Sequence, residues 1–142
     1  MRRPTWASFT SGVAVVAVAA SASAAEPAPV QVELSCRPEA APGRVLCELS
    51  YRAAVGRRLA WADALVLRAP EFARPLRSRV TPERSRGAEP GERKVSLAFV
   101  ALVSGVGQVT VRARSVICHG QGEQESCRPH SQNLTAELRV GS

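Results

Sequence analysis

Four side chains that could bind a metal or exchange electrons fall within thirteen residues near the C-terminus: Cys118, His119, Cys127 and His130. The chain contains only these two histidines, and four cysteines in all. Two thiols can form a disulfide that exchanges with other thiols, and thiolates with imidazoles suit zinc or copper. An oxidising compartment turns the thiols into a disulfide, so we expect no metal and no cofactor. Metal binding by these four residues is kept as an alternative.

Two alternating runs must position these residues. Apolar side chains occupy odd positions from Val109 to Ile117 and even positions from Asn133 to Val140. A period of two is typical of strands with one buried face and one wet face. The sequence therefore predicts a hairpin whose loop carries Cys118 and Cys127.

The rest of the chain is also predicted to form β-strands joined by turns and loops. Asp63 interrupts the apolar parity of 58–68, and the flanking Gly56 and Pro70 favour a strand with a bulge, or a two-part strand, over a short helix. Residues 81–93 have no apolar pattern and predict a surface loop. About seven antiparallel strands predict an all-β, immunoglobulin-like β-sandwich. The other clear strands are Val30 to Cys36, Val45 to Tyr51 and Lys94 to Val103.

The N-terminus predicts a signal peptide. Met1-Arg2-Arg3 is positive, residues 12–20 are apolar, and Ala22-Ser23-Ala24 is a small-residue cleavage site. The apolar run is shorter than the roughly 20 residues that a membrane span needs. We assign 1–24 to the signal peptide, 25–29 to an extended lead-in and 30–142 to the sandwich. We expect export to the periplasm or the extracellular space, with no membrane span after cleavage.

The charge of the mature chain is positive and comes almost wholly from arginine. Loss of Arg2 and Arg3 lowers the formal net charge from +7 to +5, and Lys94 is the only lysine. A basic protein can bind nucleic acid through phosphate contacts. However, the arginines are scattered, aromatic residues are few and no nucleic-acid motif is present. We therefore expect no nucleic-acid partner.

Strand parity distinguishes between the possible disulfide pairings of a small exported chain. If Cys36 faces Cys47 across a hairpin, Leu34 faces Leu49, and two apolar faces coincide, as a buried face requires. If Cys118 faces Cys127, Val111 faces Leu134, and the faces coincide again. The rival is an inter-sheet bridge from Cys47 to Cys118 with Trp61 packed on it, as in immunoglobulins.

The two local disulfides are predicted to differ. Cys36 and Cys47 share the core parity, which predicts a buried structural disulfide. Cys118 and Cys127 have the polar parity at a loop end beside Gly120, which predicts an accessible one. Exposed disulfides are more open to exchange.

The C-terminal hairpin resembles one known family. The run Val109-x-Val111-x-Ala113 leading to Cys118, then Cys127-Arg-Pro129 and a closing strand, is similar to the cysteine hairpin of the N-terminal immunoglobulin-like domain of DsbD-type thiol:disulfide interchange proteins. The likeness implies that Cys118 and Cys127 pass electrons to periplasmic partners. The chain departs from the family in a longer gap between the cysteines, one proline instead of two, and no transmembrane or thioredoxin part.

The sequence shows no catalytic set of an enzyme. It has no Gly-x-Ser-x-Gly, no His-Glu-x-x-His and no phosphate-binding glycine loop. We therefore expect a monomeric, non-catalytic binding or accessory module of the bacterial envelope, whose partner is a protein or a glycan. Thiol–disulfide exchange through Cys118 and Cys127 is the alternative.

Overall fold

The structure, a computed structural model, describes residues 27–82 and 91–141. The predicted signal peptide (1–24), the start of the lead-in and most of the predicted loop at 81–93 lie outside these residues. No helix in the described part is long and apolar enough to cross a bilayer.

The described chain is built from eight strands and one short 3₁₀ turn at Gly122–Gln124. Every strand pairing is antiparallel. The first sheet has the order β1-β2-β6-β4, and the second has the order β5-β3-β7-β8. The strands are β1 (Val30–Cys36), β2 (Gly43–Ala53), β3 (Arg57–Arg68), β4 (Ala73–Pro75), β5 (Arg79–Val80), β6 (Glu92–Ala101), β7 (Gly105–His119) and β8 (Ser126–Val140).

This strand order confirms the immunoglobulin-like sandwich. Immunoglobulin constant-type domains pair a four-stranded ABED sheet with a three-stranded CFG sheet. Here β1-β2-β6-β4 takes the place of ABED, and β3-β7-β8 takes the place of CFG. The short β5 is added at the free edge of β3, so the second sheet has four strands.

The core lies between the two sheets and is built from the alternating positions that the sequence indicated. Fully burying one such side chain stabilises the fold by about 1.5–3 kcal/mol. Tyr51 and Phe99 are the largest side chains in this core. Most of the others are aliphatic: Val45, Leu49, Val95, Leu97, Val109, Val111 and Leu138.

Both predicted hairpin registers are observed. Cys36 pairs with Cys47, and Leu34 with Leu49. Cys118 pairs with Cys127, and Val111 with Leu134. The second hairpin is longer than predicted, because β8 begins at Ser126 rather than at Asn133 and both cysteines lie in strands rather than in the loop.

Strand β3 contains the expected irregularity, and it changes which side chains face the core. The register with β7 shifts between Leu59 and Trp61, and again between Val66 and Arg68. The first shift turns Ala62 inward, where it is 4% exposed, and leaves Trp61 40% exposed on the outer face. Trp61 therefore does not pack on a core disulfide, unlike the tryptophan of immunoglobulins.

Candidate functional site

Two disulfides close the hairpins at one end of each sheet. Cys36 is bonded to Cys47, and Cys118 to Cys127. Cys47 is buried in the core and Cys36 is half-buried, so the first disulfide joins the edge strand β1 to the core. The rival Cys47–Cys118 bridge is not formed.

Only one of the two sulfur atoms of the second disulfide is accessible, whereas the sequence predicted that both Cys118 and Cys127 would be. Cys127 is exposed, but Cys118 is only 2% exposed. The prediction that the Cys118 side chain points to the outer face is correct, because Cys118 does not belong to the core cluster that contains Ile117. Its burial was not predicted, since an outward residue of a central strand can be covered by its neighbours on the same face.

An ion pair lies beside Cys118. Cys118 is flanked by Arg58 on β3 and by Cys127 on β8. The Arg58 guanidinium donates a hydrogen bond to the Glu125 carboxylate. A Glu125 oxygen lies within 4.8 Å of both sulfur atoms and 3.5 Å from the Cys127 sulfur. A carboxylate this close disfavours a negative charge on either sulfur, so an incoming thiolate meets repulsion at its point of attack.

The histidines of the predicted metal set lie on the other face of the hairpin. Successive residues of a strand point to opposite faces, so His119 faces away from its neighbour Cys118. His130 pairs with the inward-facing Ser115 and shares its side. Among the described residues, the group of potential ligands that approaches closely is Cys118, Glu125 and Cys127, without a histidine. The geometry does not bring the four residues Cys118, His119, Cys127 and His130 into one ligand set.

A second cluster, which was not among the predicted site residues, lies on the outer face of the second sheet. Asp63 is fully buried there. Arg114 Nε donates to Asp63 Oδ1 at 2.8 Å, and its Nη2 donates to Oδ2 at 2.5 Å. Arg79 Nε donates to Oδ2 at 2.7 Å. Two guanidinium groups therefore bind one carboxylate. The Cζ atom of Arg114 lies 5.5 Å from the centre of the Trp61 ring, in a cation–π arrangement.

The electrostatics of this cluster follow from burial and these hydrogen bonds. Burial alone raises the pKa of Asp63, but the hydrogen bonds from Arg114 and Arg79 outweigh it and hold the pKa below its ordinary value. The hydrogen bonds between Arg114 and Asp63 raise the pKa of Arg114. The cluster therefore keeps the Asp63 carboxylate and the Arg114 guanidinium charged at neutral pH.

The only sequence signal for this cluster was the break in parity at Asp63. Its partners are remote, because Arg79 lies 16 residues away and Arg114 lies 51 residues away. The register between β3 and β7 places Asp63 directly opposite Arg114, and that register depends on the bulge before Trp61.

Comparisons with known proteins give a distant structural likeness. No family model matches the chain, and no curated protein was found to match it. The chain is similar to AggA, the major subunit of aggregative adherence fimbriae type I from Escherichia coli, with a TM-score of 0.38 and 7% sequence identity. The alignment covers 78% of this chain and 95% of AggA. Similarity this distant carries no argument about function. None of these findings links the chain to DsbD-type proteins.

Proposed function

We propose that this disulfide-bonded sandwich is an exported, non-catalytic binding module of the bacterial envelope. The outer face of the second sheet is its binding surface, and an acidic protein is its partner. The observation that carries this proposal is the Trp61–Arg114–Asp63 cluster on that face. Tryptophan and arginine are the residues most enriched at the energetic centres of protein interfaces.

The composition of this outer face suits an interface. One row across β3, β7 and β8 consists of Trp61, Val116 and Pro129. The next row consists of Asp63, Arg114 and Ser131. An apolar row beside a charged row offers both buried contact area and directed hydrogen bonds.

The cluster is held in place before any partner arrives. Arg114 is fixed by two hydrogen bonds to Asp63, yet its side chain remains 36% exposed. Trp61 beneath it is 40% exposed. A long side chain that is already ordered loses little conformational entropy on binding, so these two residues can contribute contact energy at low cost.

The charge of the face favours an acidic partner. The described acidic residues on this side are Asp63, held by two arginines, Glu125, paired with Arg58, and Glu137, paired with Arg139. The remaining charge is positive, and complementary potentials increase both specificity and association rate. The basic residues on this face outside the pairs with Glu125 and Glu137 are Arg68, Arg79, Arg112 and Arg114.

Site-specific photo-cross-linking in the producing cell tests the proposal. A photoreactive residue at Ser131 lies on the proposed face, and one at Ser96 lies on the outer face of the first sheet as a matched control. We expect Ser131 to label one acidic protein and Ser96 to label none. Equal labelling from both positions, or labelling of a glycan alone from Ser131, would overturn the choice of an acidic protein as partner.

The one-sided exposure of the second disulfide favours a second candidate, thiol–disulfide exchange. A partner thiolate would attack the exposed Cys127 sulfur, the Cys118–Cys127 bond would break, and Cys118 would leave as a thiolate. A second partner thiol would then displace Cys127, so that the partner is oxidised and the hairpin gains two electrons and two protons. The reverse sequence reduces the partner.

The reduction potential of the second disulfide tests this candidate. It is measured by equilibrating the purified protein in thiol buffers and quantifying the Cys118–Cys127 pair by peptide mapping. A potential within the range of exchange proteins supports thiol–disulfide exchange. A potential below about −300 mV, typical of structural disulfides, excludes it.

A further inference from the structure

A basic cleft opens on the inner side of the second hairpin, opposite to the face that carries the second disulfide. It has a volume of about 390 Å³ and is lined by residues from the segment 27–29, the start of β3, and the strands β7 and β8. Its basic side chains are Arg57, His119, Arg128 and His130, and its apolar wall includes Pro29 and Ile117. We define these six residues as the basic cleft.

Strand register brings the basic groups together. Arg57 on β3 lies directly opposite His119 on β7. Arg128 on β8 lies opposite Ile117, which is the inward-facing residue of β7 next to His119. Facing residues in a sheet have Cβ atoms about 4.5–5.5 Å apart, and basic groups so placed repel each other when both are charged. An anion between them would remove this repulsion.

The four basic side chains of the cleft have no acidic partner within residues 27–82 and 91–141. The ion pairs in that part of the chain involve other basic groups. The contrast with the outer face is clear, because Arg114 and Arg79 share Asp63 there, and Arg58 is paired with Glu125. The cleft therefore presents two guanidinium groups whose charge is not neutralised by the described protein, together with two imidazole side chains.

We propose that the basic cleft binds the phosphate group of a small organic phosphate. Guanidinium groups match phosphate oxygens with two parallel hydrogen bonds, and the facing arginine and histidines supply further donors. The volume falls within the range of small-molecule sites, which leaves room for an organic substituent against the apolar wall. The inference is independent of the proposed protein-binding function, because the two sites lie on opposite faces of the second sheet.

Titration of the full mature protein with glycerol 3-phosphate tests the proposal. Since the chain has only two histidines, the ring C–H signals in NMR spectra come from two imidazole groups, and each group can be followed by its own set. We expect both His119 and His130 to shift on titration. Arg57→Gln and Arg128→Gln should each weaken binding about tenfold, the effect of losing one charge-assisted hydrogen bond. Arg44→Gln, on an exposed position of the first sheet, is the matched control and should leave affinity unchanged.

Two further ligands identify the role of the wall and the source of the phosphate. Inorganic phosphate should bind more weakly than glycerol 3-phosphate, because it cannot contact Pro29 and Ile117. Phosphatidylglycerol vesicles, compared with phosphatidylcholine vesicles, show whether the phosphate can belong to a lipid headgroup. Vesicle binding that Arg57→Gln abolishes indicates a lipid. Binding of glycerol 3-phosphate alone indicates a soluble ligand.

Three results would overturn the proposal. The first is an equal loss of affinity in Arg44→Gln and Arg57→Gln, which would mean attraction by net charge alone. The second is glycerol 3-phosphate binding without a shift of either imidazole signal, and the third is no binding of glycerol 3-phosphate or of vesicles. If inorganic phosphate bound as tightly as glycerol 3-phosphate, the ligand would gain nothing from contact with Pro29 and Ile117, and the organic part of the proposed ligand would be excluded. Because Trp61→Ala leaves the cleft intact, it should not alter phosphate binding even if it abolishes protein binding.

Discussion

The hydroxyl of Tyr51 donates a hydrogen bond of 2.5 Å to the backbone carbonyl of Asp63, and so joins the two sheets of the sandwich. Tyr51 belongs to β2 in the first sheet and is 1% exposed, whereas Asp63 belongs to β3 in the second. Burial, with the nearby charge of Asp63, raises the pKa of Tyr51 well above its ordinary value. The hydroxyl therefore remains a donor at neutral pH, and it supports β3, the strand that presents Trp61 and Asp63.

We expect Tyr51→Phe to lower the free energy of unfolding by about 1–2 kcal/mol, because the ring is retained and one buried hydrogen bond is lost. Urea unfolding measures the change. The slope of unfolding free energy against urea should stay the same, since the surface exposed on unfolding is unchanged. An unaltered midpoint would show that this hydrogen bond contributes nothing to stability.

Acid should destabilise the protein through Asp63. Its pKa is lower in the folded state than in the unfolded state, so its contribution is complete above the unfolded pKa of about 3.8–3.9. The contribution is lost as the pH falls through the folded pKa. We expect Asp63→Asn to lower stability at pH 7 by about 1–2 kcal/mol, because charged hydrogen bonds are lost and the arginines are partly exposed.

Glu48→Gln is the control for the acid experiment. Glu48 forms an exposed ion pair with Lys94 at 3.1 Å, a type of pair that contributes about 0–1 kcal/mol. The free energy of unfolding is measured at a series of pH values. As the pH falls, it should decrease less steeply in Asp63→Asn than in the unmodified protein. In Glu48→Gln it should decrease as steeply as in the unmodified protein. The same acid loss in Asp63→Asn and in the unmodified protein would contradict the role given to Asp63.

Glu125 should slow the reaction of the second disulfide with thiolates. Its carboxylate lies 3.5 Å from the Cys127 sulfur, and removal of this charge should speed attack several-fold at low salt, where screening is weak. We expect Glu125→Gln to react faster than Glu123→Gln, a control with the same charge change in the same loop. Mass spectrometry of trapped adducts should find them on the exposed Cys127. Adducts on Cys118, or equal rates in the two variants, would disprove this account of the hairpin.

Much of the fold could be predicted from the sequence because one buried face fixes the register of a hairpin. The parity of Leu34 and Leu49 favoured Cys36 opposite Cys47, and the parity of Val111 and Leu134 favoured Cys118 opposite Cys127, while the Cys47–Cys118 pairing stayed open; both favoured registers are observed. These relationships are local and depend only on the apolar pattern.

The features that were not predictable depend on contacts between distant parts of the chain. The ion pair beside Cys118, for example, joins Arg58 to Glu125, which are 67 residues apart. The exposure of Trp61 depends on the exact position of a bulge, and the apolar pattern of β3 does not mark that position. Alternation alone gives the side of a sheet to which a residue points, but not what covers it there.

Photo-cross-linking from Ser131 in three variants tests the central claim most directly, because it separates binding by the outer face from cysteine chemistry. The variants are the otherwise unmodified chain, Trp61→Ala, and Cys118→Ala combined with Cys127→Ala, each first shown to unfold cooperatively. We predict that the adduct with an acidic protein is formed by the unmodified chain and by the double cysteine variant, and that Trp61→Ala loses it. An adduct that persists in Trp61→Ala and disappears when the two cysteines are replaced would contradict the binding-module account and favour thiol–disulfide exchange.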